Sequence, residues 1–86
     1  MAVYSILLKD SVRKDLESVP NNYLQRIMNR IGALADNPRP VGCEKLSGQE
    51  KYRVRQGDYR IIYSIQDTWL TVWIVKVGHR RDVDRI

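Results

Sequence analysis

Lys51 to Tyr63 reads KYRVRQGDYRIIY, and the alternation within it decides the architecture. With a two-residue turn at Gln56-Gly57 or Gly57-Asp58, Tyr52, Val54, Tyr59, Ile61 and Tyr63 fall on one side of a hairpin. Arg53, Arg55 and Arg60 fall on the other side. A three-residue turn would set Val54 opposite Arg60 and mix the stripes, so burial favours the shorter turn. Ile62 is the exception on the arginine side, to be sheltered by the last strand or the C-terminal tail. Three guanidiniums on one face repel one another. Such a face calls for a counter-charge from outside, and nucleic acid is the commonest large polyanion in a cell.

Outward from this hairpin, Val3–Leu8 is a short apolar, β-branched run expected as a first strand. Asp10 or Ser11 is placed to cap a helix carrying Val12, Leu16 and Val19, which Pro20 breaks. From Asn22 to about Asn37, Leu24, Ile27, Met28, Ile31, Leu34 and Ala35 recur at the spacing of an amphipathic helix. Asn37-Pro38-Arg39-Pro40 ends it, because each proline disfavours helical backbone at the residue before. Val41–Glu50 reads as a polar connection, and strands are expected over Tyr52–Gln56, Asp58–Gln66 and Trp69–Val77. The order β-α-α-β-β-β predicts one α+β domain over residues 1–86. Its mainly antiparallel four-stranded sheet carries both helices on one face, with room for a short C-terminal helix.

Charge supports the same division. Residues 1–50 hold seven Lys/Arg against six Asp/Glu, and residues 51–86 hold eight against four. The positive field therefore belongs to the sheet. Cys43 is the single cysteine, which rules out an intrachain disulfide and fits a reducing compartment. One cysteine and one histidine nearly exclude a protein-built zinc site. Asp82 and Asp84 stand among arginines and read as ion-paired rather than as metal ligands, so no metal and no cofactor is expected. No stretch approaches the roughly 20 apolar residues of a membrane span, and the expected location is cytoplasmic.

After the last strand comes Gly78-His79-Arg80-Arg81-Asp82-Val83-Asp84-Arg85. A phosphate held among Arg53, Arg55, Arg60 and Arg80 would receive charge-assisted hydrogen bonds, and the same donors would stabilise a pentacoordinate phosphorane. The reacting group would be an RNA 2′-hydroxyl attacking its own 3′-phosphate, without a metal. Lys45, Lys51, Arg81 and Arg85 flank this set as RNA-binding candidates. His79 is the one histidine and follows the strand end, which makes its imidazole a candidate for proton transfer in the site. Trp73 is weighed between core packing and stacking on a nucleobase.

KLSGQEKYRVRQGDYRIIY, followed by IVKVGHRRDV, resembles the RelE branch of the RelE/ParE toxin superfamily, and the resemblance covers essentially the whole chain. It implies the microbial RNase-like fold and a toxin of a type II toxin–antitoxin system. The toxin would cleave mRNA in the ribosomal A site, leave a 2′,3′-cyclic phosphate and be neutralised by a RelB-like antitoxin. Arg53 and Arg55 stand where the family often has lysines, Arg60 at the transition-state arginine, and Arg80 at the basic residue after the glycine. Asp84 stands where the family motif commonly has a tyrosine that stacks on mRNA. Arginine does not deprotonate in proteins, so His79, Asp84 or a ribosomal group are the candidate bases, with His79 preferred. The alternatives are a catalytically weakened relative that keeps antitoxin binding, and a ParE-like inhibitor of DNA gyrase.

Overall fold

The computed structural model describes residues 3–83, with side chains as far as Arg81. The hairpin forms as the alternation requires. Strand β3 (Tyr52–Gln56) pairs antiparallel with β4 (Tyr59–Gln66), Gln56 opposite Tyr59, which leaves Gly57-Asp58 as a two-residue turn. Gly57 has φ 61, a left-handed value that glycine adopts without a Cβ clash at the first central position of such a turn.

Four more elements precede this hairpin: β1 (Ser5–Leu8), α1 (Asp10–Glu17), α2 (Asn21–Ala33) and β2 (Glu44–Lys45). Strand β5 (Thr71–His79) and α3 (Arg80–Val83) follow it. The sheet is five-stranded, in the order β1-β5-β4-β3-β2, with β1 parallel to β5 and the other neighbours antiparallel. The additional strand is β2, two residues long, inside the stretch expected to be a connection. Neither Asp10 nor Ser11 is the cap of α1: Lys9 holds that position, and Asp10 lies in the first turn, where its charge favours the helix N-terminus. Helix α2 stops at Ala33 rather than near Asn37 because Leu34, Ala35 and Asp36 donate to carbonyls three residues back, tightening the end.

Val12 and Val19 from the first helical segment, with Ile27, Ile31 and Leu34 from the second, bury the core against Val54, Ile61, Tyr63, Val72, Ile74 and Val77. These sheet residues all lie on one face. Opposite Ile62 and Tyr63 the register of β5 shifts: Ile62 faces Lys76 and Tyr63 faces Ile74, so Val75 is an extra residue. This bulge reverses the parity of β5. Val72 and Ile74 point to the core before it, Val77 and His79 after it.

The β4–β5 turn is longer than expected. It spans Asp67 to Leu70, so Trp69 lies outside the strand and is 76% exposed, and Leu70 has φ 46. Past Leu8 no strand among the described residues pairs with the outer edge of β5, and Asp15 of α1 takes over. Asp15 accepts the Val77 N–H at 3.1 Å and the Lys76 ammonium at 3.2 Å. At the other end, Arg39 donates to both carboxylate oxygens of Asp67 at 3.3 and 2.9 Å and lies over the Tyr52 ring at 5.4 Å. Tyr4 completes the tie with a 2.7 Å bond to Asp67, and the buried Tyr63 hydroxyl donates to the Pro38 carbonyl at 2.6 Å. Among the described residues no helix is long and apolar enough to cross a membrane.

Candidate nucleic-acid interface

The face turned away from α1 and α2 carries the arginines. Arg55 stands directly opposite Arg60 across β3 and β4, and Arg53, two residues away on β3, stands opposite Ile62. Gly78, with no side chain, faces Arg60 from β5. The structure therefore brings Arg53, Arg55 and Arg60 together on the face of the sheet opposite α1 and α2.

They are not equally accessible. Arg55 is exposed and Arg53 half-buried, whereas Arg60 is only 7% exposed on its central strand. Its Nη1 donates to the Tyr59 carbonyl at 3.4 Å. Ile62 is 3% exposed, so the one apolar residue of this stripe is sheltered as expected. Part of the counter-charge is internal, contrary to the expectation that all of it comes from outside. Glu44 of β2 stands opposite Arg53, with Oε2 3.2 Å from its Nη2, and Oε1 lies 3.6 Å from Nη2 of Arg55. Each carboxylate oxygen meets a different guanidinium, as two phosphate oxygens could. Nothing in the chain's local pattern marks this contact, because a two-residue strand carries no readable period.

His79 is not part of this cluster. It opposes Tyr59 on the helix side of the sheet, with ring centroids 5.7 Å apart, and Tyr23 of α2 lies 5.8 Å beyond Tyr59. The reason is alternation: Gly78 takes the position opposite Arg60, so its successor faces the other way. His79 lines a cavity of about 230 Å³ with Asp15, Ser18, Val19, Tyr59 and Lys76. Arg80 begins α3, exposed, and its backbone N–H donates 2.8 Å to the Asp58 carbonyl, tying the strand end to the hairpin turn. The Arg81 N–H donates to Nδ1 of His79 at 3.3 Å.

Lys45 is exposed, 3.8 Å from Glu50, and pairs with Tyr52, so it projects from the other parity than Glu44. Lys51 is half-buried just before β3, its carbonyl accepting the Leu46 N–H. Asp84 and Arg85, and with Asp84 the question of a carboxylate pair with Asp82, lie outside the described residues. Among the described residues no three His, Cys, Asp or Glu side chains gather as a metal site would require.

Several comparisons bear on this geometry. Residues 6–84 match the family model described as the ParE toxin of the type II toxin–antitoxin system parDE. Toxin RelG of Mycobacterium tuberculosis is 33% identical over 86 residues, covering 95% of this chain and 97% of that protein. The fold is similar to the toxin–antitoxin complex RelBE2 of the same organism, with TM-score 0.81 and 28% identity over 91% of this chain and 99% of that one. It is equally similar to the archaeal RelE–RelB complex of Pyrococcus horikoshii, with TM-score 0.81 and 31% identity over 93% of this chain and 97% of that one. Match length, identity and shared fold agree: the chain belongs to the ParE toxin family of type II toxin–antitoxin systems, within the RelE/ParE superfamily.

Proposed function

We propose that this toxin is a ribosome-dependent endoribonuclease that cuts mRNA in the A site and so stops translation. The observation that carries the reading is the meeting of Arg53, Arg55 and Arg60 on the sheet face opposite α1 and α2, with Arg80 following the end of β5. A backbone phosphate laid there replaces Glu44 as the partner of Arg53 and Arg55, and Arg60 meets it from below. The 2′-oxygen bonds to phosphorus, the P–O5′ bond breaks, and a 2′,3′-cyclic phosphate and a 5′-hydroxyl result. Charge on the phosphorane falls to Arg60, held on its central strand, and to Arg80. The reaction as proposed is metal-independent.

Alternation argues against His79 as the base, since its ring lies against Tyr59 on the other side of the sheet. The proposed proton acceptor is then Asp84 or a ribosomal group. Lys45, Lys51, Arg81 and Arg85 complete the proposal as RNA-backbone contacts, the ribosome and a RelB-like antitoxin as partners, and the cytoplasm as its location. The relatives whose structures hold RelB support the antitoxin.

A second reading, that of a ParE-like toxin, is favoured by the family model's description; such a toxin would, as the resemblance implies, inhibit DNA gyrase by protein contact. Primer extension on a translated mRNA, run with EDTA and beside a gyrase supercoiling assay, separates the two. Codon-phased cuts that persist in EDTA support the nuclease. Intact mRNA with arrested supercoiling supports the gyrase inhibitor, and neither effect marks a weakened relative that retains antitoxin binding.

A further inference from the structure

The sheet face opposite α1 and α2 has a second half that the arginines do not occupy. Beyond Ile62 it continues through Ser64 of β4, Thr71 and Trp73 of β5, and Ser5 and Leu7 of β1, placed by the pairs Ser64 with Trp73 and Trp73 with Leu7. A tryptophan in a strand flanked on both sides normally joins the core. Trp73 does not: the core is built on the opposite parity, from Val72 and Ile74. It is half-buried, beside a serine on one strand and a leucine that is 41% exposed on the other. Ser64 is too small to cover an indole, and Trp73 keeps part of its surface open to solvent.

We propose that Trp73 is a stacking platform for one base of the single-stranded RNA whose backbone the arginines hold. This rests on the nuclease reading and extends it to a nucleotide away from the cut. Single-strand binding combines a cationic track with an aromatic surface, and this face presents both in line. Arg60 and Ser64 are four residues apart on β4, which sets Trp73 about 13 Å along the strands from the Arg55–Arg60 pair at the rise of a strand, with Arg53 between. That span is a few nucleotides of extended RNA. The charge on the same face selects a polyanion over an apolar peptide or a second copy of the chain.

The test uses intrinsic fluorescence. Trp69 lies in the β4–β5 turn, outside both halves of the face, so Trp69→Phe leaves Trp73 as the sole tryptophan. A short dye-labelled 2′-O-methyl oligoribonucleotide, which lacks the attacking hydroxyl, reports binding by anisotropy. Saturable quenching of Trp73 over the same concentration range is the expected result. Trp73→Leu should weaken binding about tenfold and Trp73→Phe much less, with circular dichroism confirming that each variant is folded. Binding by anisotropy without quenching, or with unchanged affinity in Trp73→Leu, overturns the platform and leaves the nuclease reading standing. No binding in a toxin that still cuts translated mRNA overturns the platform alone, and no binding in one that also fails to cut overturns both. A concentration-dependent dimer whose Trp73 ignores the oligonucleotide assigns the face to a second copy and overturns the platform as well.

Discussion

Glu44 faces Arg53 across the β2–β3 ladder, 3.2 Å away, and its second oxygen reaches toward Arg55. The carboxylate sits where a bound phosphate would compete for the same donors. It is about half exposed, so it adds little stability, about 0–1 kcal/mol for such a pair. Glu44→Gln should leave the melting temperature nearly unchanged and tighten binding of an uncleavable oligoribonucleotide a few-fold. The gain should shrink with added salt as the charges are screened. Equal or weaker binding in low salt would show that Glu44 does not oppose the ligand.

Arg60 is held deeper than Arg53 or Arg55, 7% exposed between Arg55 and Gly78. Removing one donor to a developing anion typically costs about 10²–10³ in rate. Arg60→Ala should therefore lose at least tenfold of the codon-phased cleavage seen by primer extension. Arg60→Lys keeps the charge without the planar fork and should fall between. Wild-type cleavage by a folded Arg60→Ala protein would remove Arg60 from the reaction.

Arg39 and Tyr4 bond the Asp67 carboxylate and hold it below the usual carboxylate range, Arg39 contributing most. A depressed acid stabilises the fold above its unfolded value and loses that contribution as pH falls through the folded one. Asp67→Asn should lower the melting temperature at pH 7, and the gap to wild type should close in strong acid. Thermal melts across that range check this, and a gap independent of pH would count against the ion pair as its source.

Burial raises the Tyr63 phenol above its ordinary range, and its hydroxyl donates to the carbonyl of buried Pro38. Tyr63→Phe keeps the ring against Tyr52 but leaves that carbonyl without its donor. A loss of about 1–3 kcal/mol is expected, seen as a lower urea midpoint at unchanged slope. A midpoint equal to wild type would mean that solvent or a shifted loop replaces the bond.

The hairpin, its arginine stripe and the two helices were legible in the chain because each is a local pattern. Period 2 sorted Tyr52–Tyr63, period 3.6 marked the segment around Ile27 and Ile31, and Pro38 and Pro40 marked where it stops. The buried side of that hairpin then followed from hydrophobicity alone. Tertiary structure decided what depends on residues far apart: the pairing of β1 with β5, the seat of Glu44, the Arg39–Asp67 tie across 28 positions and the direction of His79. One extra residue, Val75, reversed the parity of β5, and a bulge is set by the neighbouring strand rather than by its own sequence. Alternation is a property of a segment, whereas register is a property of two, and only the folded sheet supplies the second.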